Sequence, residues 1–305
     1  MTNNLNKNHT KTAFIAVIGL PNVGKSTLIN TLVGKKVTIV SDKPQTTRNR
    51  IMAVLTQGEM QFVFVDTPGS HRPRTRLGQF MIKSISEAVS GVDAAVLVTE
   101  PNISIRQEEL NLLNQCKRKK LPVVLAVNKT DKLPDKTKLL KIIDAWQSKY
   151  DFAAVVPISA LNGDGVSSLI FELDAFAIAS PHFFPDDMSS DMTENMITAE
   201  LIREKVLQFL REEVPHGVAV VVESINERNS RHGLILDIEA TIFCERENHK
   251  GIIIGTRGQM LSQIGKAARE EIEQMFDTKV NLQCRVKARE DWRNRQHYLK
   301  GFGYK

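Results

Sequence analysis

The sequence predicts an α/β domain with a mostly parallel sheet, followed by a smaller α+β domain. Three observations carry this expectation. Residues 19–26 read Gly-Leu-Pro-Asn-Val-Gly-Lys-Ser between the apolar, strand-like residues 13–18 and the helix-like residues 27–32. Short apolar runs then alternate with helix-period segments up to residue 180, the pattern of a parallel sheet covered by helices. Beyond residues 180–193, which carry two prolines and many turn formers, the rhythm changes to helix, strand, strand, helix, helix, strand.

With 305 residues, 42% of them hydrophobic, the chain can fill two ordinary cores, and collagen-like, disordered and membrane classes are excluded. No apolar run approaches the length that spans a bilayer, and residues 1–12 are polar, read as a disordered N-terminus without a signal-peptide core. A soluble, cytoplasmic chain is expected. Cys116, Cys244 and Cys284 stand far apart with no His partner at metal-ligand spacing, so they read as reduced core thiols and not as a zinc site. The net charge is +6, and residues 281–305 hold seven Lys/Arg against Glu290 and Asp291. That concentration points equally to a polyanion partner or to a solvated basic tail.

Residues 19–26 read as a phosphate-binding loop. Gly19 and Gly24 let the backbone turn so that successive N–H groups face an anion, and the following helix adds its N-terminal dipole. Lys25 would reach the β- and γ-phosphates, and the Ser26 hydroxyl would take a place on Mg²⁺. The blander reading is an ordinary Gly-rich turn; the flanking strand and helix weigh against it. Residues 36–50, with Pro44-Gln45-Thr46-Thr47-Arg48 at their centre, read as a mobile loop offering a second hydroxyl to Mg²⁺, Thr47 first and Thr46 as the alternative.

Residues 51–56 and 61–66 read as two strands, the second ending in Asp66-Thr67-Pro68-Gly69. Asp66 at a strand's carboxyl end can hold Mg²⁺ through water, and Gly69 lets a backbone N–H approach the γ-phosphate. The strands 94–98, 122–127 and 153–157 come next, with helices expected over 105–116 and 136–150. The strand at 122–127 runs into Asn128-Lys129-Thr130-Asp131, and the strand at 153–157 into Ser159-Ala160-Leu161. The Asp131 carboxylate can accept from guanine N1–H and N2–H₂, a pair adenine lacks. Lys129 can lie along the purine face, Asn128 can tie this loop to the phosphate loop, and the Ala160 N–H would meet guanine O6. Taken alone, N-K-x-D could be a charged helix cap.

Gly19 to Ser26, Thr46-Thr47, Asp66 to Gly69, Asn128 to Asp131 and Ser159 to Leu161 resemble the five signature loops of translation-factor-type GTPases, in the branch that includes Era and the tRNA-modification GTPases. The resemblance implies a P-loop GTPase domain over residues 13–180. It implies that GTP or GDP is held by Gly19, Pro21, Asn22, Val23, Gly24, Lys25, Ser26, Thr27, Asp66, Thr67, Pro68, Gly69, Ser70, Asn128, Lys129, Asp131, Ser159, Ala160 and Leu161. Lys25, Thr47, Gly69 and Asn22 would stand nearest the chemistry, and Ser26, Thr47 and Asp66 would face Mg²⁺. Ser70 stands where many small GTPases carry a water-orienting Gln, which implies slow intrinsic hydrolysis or another group. Asn22 matches a loop Asn that helps bind K⁺ in some members, or else it stabilises the turn.

Residues 181–197 read as a linker, and residues 199–211 as a helix with Leu201, Ile202, Val206, Phe209 and Leu210 on one stripe. Strands are expected over 218–225 and 234–243, joined by the polar residues 226–233. Gly255-Thr256-Arg257-Gly258 lies before a helix at 259–276 and a strand at 279–286. By itself G-x-x-G marks a tight helix–helix turn; in this order of elements it resembles a type II KH domain, placed at 198–290, with a basic tail over 291–305. Lys250, Ile253, Ile254, Gly255, Thr256, Arg257, Gly258, Lys266 and Arg285 are the expected RNA contacts. The whole chain thus resembles the Era family, Ile202-Arg203-Glu204-Lys205 and Ile253-Ile254-Gly255 included. That implies a GTPase acting on the 3′ end of 16S rRNA in maturation of the small ribosomal subunit, with loose association at the membrane surface, no DNA partner and a monomeric state.

The γ-phosphate and Mg²⁺ would order residues 36–50 and 66–76 and so reposition the linker or the KH face. Arg72, Arg74 and Arg76 either join that interface or are solvated charges. Three rival readings stand beside this one: a tRNA-modification GTPase, disfavoured by the lack of a folate site and a C-terminal catalytic Cys; an RNA-binding module that senses nucleotide with negligible turnover; and an ATP-dependent kinase, which has no use for Asn128-Lys129-x-Asp131.

Overall fold

The computed structural model describes residues 10–43, 45–69, 73, 75–135, 137–212, 214–231 and 233–304. Two compact units emerge, one formed mainly by residues up to Asp191 and the other by Met192 onward together with Ile39–Thr46 and Pro73–Phe80.

In the first unit β1 (Lys11–Gly19) is the central strand. It pairs in parallel with β3 (Met60–Asp66) on one side and β4 (Ala94–Thr99) on the other. Then β5 (Val123–Val127) and β6 (Ala154–Pro157) extend the sheet in parallel, while β2 (Ile51–Gln57) closes the opposite edge antiparallel to β3. A short β7 (Ile178–Ala179) pairs with Lys11 and Thr12, so those two residues belong to the sheet and not to a disordered terminus. Residues 1–9 of that expected segment lie outside the described residues.

Alternate residues of each inner strand feed two cores. Ala13, Ile15 and Val17 pack with α1 (Lys25–Val33) and α5 (Val166–Asp174). Ala16 and Ile18 pack on the other face with α2 (Arg76–Ala88), α3 (Gln107–Arg118) and α4 (Lys138–Gln147). Burial of both faces explains why these strands read as unbroken apolar runs. Helices α2 and α5 were not expected. The four-residue spacing of Leu77, Met81 and Ile85, all buried, was their legible sign in α2.

Of the expected linker, residues 181–191 form a strap over this sheet, whereas residues 194–197 already belong to the next helix. Gln61 accepts from the N–H groups of Phe183 (2.8 Å) and Phe184 (3.0 Å) and donates to the Phe184 carbonyl (2.9 Å). Further along, Val54 N–H donates to Ser189 O (2.9 Å), and Met52 N–H to the Asp191 carboxylate (2.9 Å). Phe183 meets Phe14 edge-on at 5.1 Å. Backbone groups at the β2 edge thereby find partners that a free linker would not supply.

The second unit holds a sheet ordered β10-β9-β8, with β8 (Ala219–Ser230) antiparallel and β10 (Lys279–Ala288) parallel to β9 (Gly233–Cys244). The expected loop over 226–233 is mostly strand. Arg228 grips Asp237 across the hairpin (2.6 and 3.2 Å), which lets polar residues sit on solvated strand faces. Helices α6 (Glu194–Phe209), α7 (Glu247–Ile254) and α8 (Gln259–Phe276) share one apolar core with the sheet. Phe209, expected on the buried stripe of α6, is 40% exposed, and Leu207 takes its place. Nor is the C-terminal stretch a free basic tail: Trp292 is fully buried and donates to Gly217 O (2.8 Å), and α9 (Gln296–Gly301) leads to Phe302 and Tyr304, whose rings pack on the indole. No helix among the described residues is long and apolar enough to cross a membrane.

His182, in the strap, bonds the Asp186 carboxylate (2.6 Å) and Glu59 O (3.1 Å); chiefly the Asp186 bond raises its pKa above the usual value. A raised folded-state pKa contributes stability that is complete below the unfolded value, near 6.5, and is lost as pH rises through the folded value. His182→Ala is therefore expected to lower the thermal midpoint more at pH 6 than at pH 8.5, read by circular dichroism at both pH values.

Candidate functional site

The site gathers where the strands of the first unit end. Helix α1 starts at Lys25 immediately after Gly24, whose φ of 96° is left-handed and whose imagined Cβ would lie 2.3 Å from Asn128 Nδ2. Lys25 is buried, and its Nζ donates to Leu20 O (2.8 Å) and Gly19 O (3.2 Å). Burial lowers its ammonium to about 8, with Asp66 opposing the shift. Gly69 passes so close to the loop that a Cβ there would be 2.7 Å from Pro21 N and Cα.

The three expected metal-facing groups converge. Ser26 Oγ lies 3.0 Å from Thr47 Oγ1 and donates to Asp66 Oδ2 at 3.2 Å, while Thr47 Oγ1 donates to the same oxygen at 3.3 Å. Burial raises the Asp66 carboxyl to about 6, against the pull of Lys25 and the two hydroxyls. Its Oδ1 is buried without a hydrogen-bond partner among the described residues. An all-oxygen set with an orphaned carboxylate oxygen suits a hard cation such as Mg²⁺. Thr46, the alternative, turns its hydroxyl to Lys43 O (2.6 Å) instead. Thr67 is buried with its hydroxyl on Val17 O (2.8 Å). Ser70, Arg72 and Arg74 lie outside the described residues, and Arg76 opens α2.

At the other end, Asn128 is a buried tie. Its Nδ2 donates to Val23 O (2.8 Å) and its Oδ1 accepts from the Ala160 N–H (2.9 Å). The Ala160 N–H, expected to meet guanine O6, is thus engaged by Asn128, because a buried amide oxygen needs a donor. Ser159 Oγ donates to Asp131 Oδ1 (2.7 Å), aiming an otherwise exposed carboxylate. Lys129, at φ 63°, gives its Nζ to Asn22 O (2.6 Å) and to Glu100. Leu161 is exposed.

Three partners were not foreseen. Thr31 donates to Ala160 O (2.7 Å) from α1, Thr130 donates to Ile158 O (2.9 Å), and Glu100 pairs with Lys129. Only the place of Glu100 directly after an apolar strand hinted at a role; the others depend on contacts across the fold.

In the second unit α7 ends at Gly255, Arg257 takes a left-handed φ of 53°, and Gly258 opens α8. Thr256 and Arg257 are exposed, and Lys250 and Ile254 half-buried, on this helix–turn–helix. Lys266 lines a groove of about 550 Å³ between α8 and β10, with Arg269, Leu282 and Cys284. Two expected contacts fall elsewhere. Ile253 has no exposed surface because it packs in the core, and Ile252 (50% exposed) is the outward residue. Along β10 burial alternates, so Arg285 lies on the strand face opposite to Leu282 and Cys284 and pairs with Glu239 of β9 (3.3 Å).

Residues 14–129 match the family model described as 50S ribosome-binding GTPase, and residues 213–293 match that of the KH domain. A GTPase Era of Clostridioides difficile (strain 630) is 47% identical over 294 residues, 96% of this chain and 98% of the relative. One from Ruminiclostridium cellulolyticum is 50% identical over 295 residues, 97% and 98% of the two chains. The chain belongs to the Era family of GTPases. GTP hydrolysis is accordingly its activity, carried on an α/β domain with a mostly parallel sheet and followed by a KH domain. Among solved structures, Era in complex with MgGDPNP and nucleotides 1506–1542 of 16S ribosomal RNA matches with TM-score 0.92 at 36% identity, over 97% of this chain and 99% of that one. A point variant of Aquifex aeolicus Era bound to GDP.AlF4- matches equally, with TM-score 0.92 at 36% identity and the same shares of both chains. The Era assignment removes the kinase and tRNA-modification readings, since the likeness to Era runs through both units.

Asn128→Ala leaves the Val23 carbonyl and the Ala160 N–H without partners in a buried place. It is expected to destabilise the nucleotide-free protein by about 2–4 kcal/mol, read by urea unfolding.

Proposed function

We propose that the chain is a GTP-hydrolysing switch that binds the 3′ end of 16S rRNA and serves maturation of the small ribosomal subunit. The convergence of Ser26, Thr47 and Asp66 beside the buried Lys25 is the observation that carries it. Lys25 would exchange its loop carbonyls for β- and γ-phosphate oxygens, recovering in full the charge that burial now weakens. Ser26, Thr47 and, through water, Asp66 would hold Mg²⁺, which supplies positive charge where the transferring phosphoryl group develops negative charge. Gly69, pressed against Pro21, would direct a backbone N–H at the γ-phosphate. At the base end, Ser159 holds one Asp131 oxygen and leaves the carboxylate aimed for the paired donors of guanine.

K⁺ beside the left-handed Asn22 turn belongs to the same proposal, as a further source of positive charge. So do a cytoplasmic location and loose contact with the membrane surface. For RNA, support comes from the exposed Thr256 and Arg257 of the G-x-x-G turn and from the groove past Lys266, together with the family's complex with nucleotides of 16S rRNA.

Asp131→Asn replaces one acceptor by a donor and is expected to weaken GTP about a hundredfold or more while admitting xanthosine triphosphate, read by calorimetry. Arg257→Ala is expected to weaken an rRNA 3′-end oligonucleotide and lower the salt slope of binding by about 1, whereas Arg285→Ala leaves both unchanged, read by fluorescence anisotropy across a salt series. Equal uptake of GTP and ATP by the wild type would defeat the reading.

A further inference from the structure

The segment Ile39–Thr46 clusters with the second unit, and α6 holds it at both ends. Ile39 is 3% exposed within that unit's core, and the next residue, Val40, donates its N–H to Glu204 Oε1 (2.8 Å). At the far end the Thr46 carbonyl accepts from Arg203 Nη2. Arg203 is 1% exposed and also pairs with Glu200, through Nε at 2.9 Å and through Nη2. Its Nη1 has no hydrogen-bond partner among the described residues. A guanidinium cannot shed its charge, so once buried it binds its acceptors firmly. Adjacent side chains of one helix therefore grip the first and last peptide groups of this segment.

The residue directly after Thr46 is Thr47, whose hydroxyl stands with Ser26 and Asp66. The carbonyl that Arg203 grips belongs to the planar peptide group that carries Thr47 N, so holding that plane limits where Thr47 can go. We infer that Arg203, assisted by Glu204, is a positioning residue for Thr47, setting how well its hydroxyl can serve Mg²⁺ and the γ-phosphate. The inference rests on the GTP and Mg²⁺ reading above. Glu200 alone would satisfy the charge of Arg203; the additional bond to the carbonyl one residue before Thr47 gives the guanidinium this second task.

The test uses the intact protein, with release of fluorescent GDPNP and GDP followed in Mg²⁺ and in EDTA. Arg203→Lys keeps a charge beside Glu200 but lacks the fork that serves two acceptors at once; Arg203→Ala removes both. Mg²⁺ is expected to slow GDPNP release from the wild type, and that effect to shrink about tenfold in both variants, the equivalent of one charge-assisted hydrogen bond. GDP release in EDTA should match the wild type, which a merely structural role for Arg203 would not predict. Thermal midpoints identify a variant that has lost its fold, and Arg203→Lys supplies the reading if Arg203→Ala is that variant. An undiminished Mg²⁺ effect in a folded variant overturns the inference alone. A wild type whose GDPNP release ignores Mg²⁺ overturns the metal reading and this inference with it.

Discussion

Parallel pairing of β1 with β3, in the register that sets Val17 opposite Asp66, is the constraint on which the proposed phosphate end of the site depends. Because both strands run the same way, the chain leaving β1 and the chain leaving β3 emerge side by side. One becomes the phosphate loop and the other Thr67-Pro68-Gly69. Thr67 fastens back to Val17, and Gly69 lies against Pro21. A slip of one residue would turn Asp66 to the opposite face of the sheet, away from Ser26 and Thr47. The same register buries a lysine and an aspartate together, and desolvation moves each toward its neutral form while the other resists. Such a pair is poised for a polyanion and a cation that restore both charges.

The base end is held in a different way. Asn128 commits both ends of its amide to backbone groups of two loops, so the loop carrying Lys129 and Asp131, the loop carrying Ser159 and Ala160, and the phosphate loop are one connected body. Thr31 and Thr130 add ties of the same kind. In the proposed reading rigidity here would serve selectivity, since a carboxylate that can swing away discriminates poorly between bases.

Much of this was legible because phosphate, magnesium and guanine each demand particular side chains at a particular spacing. Lys25-Ser26, Asp66 and Asn128-Lys129-x-Asp131 could be assigned to the carboxyl ends of strands in one parallel sheet without any coordinates. The misreadings have one origin, namely that polarity along the chain does not say what covers a residue. Residues 181–191 look like a linker by their prolines and acids, yet Gln61 and the β2 backbone bind them. Ile253 belongs to a matched family pattern, yet it is its neighbour Ile252 that faces outward. Arg285 shares the basic end with other cations, yet strand alternation sends it to the face away from the groove. Residues 291–305 read as a basic tail, while Trp292 and Tyr304 anchor that stretch in apolar surroundings.

From sequence alone came the order of the elements, the nature of the ligand and the groups proposed to touch it, since these depend on local spacing and on side-chain chemistry. Which threonine joins Ser26 and Asp66, where the Ala160 N–H points, and what grips the segment ahead of Thr47 were decided by tertiary structure. Those outcomes depend on partners up to 164 residues distant, as between Val40 and Glu204. No local pattern records them, because a buried donor takes whichever acceptor the packing of the whole chain brings within reach.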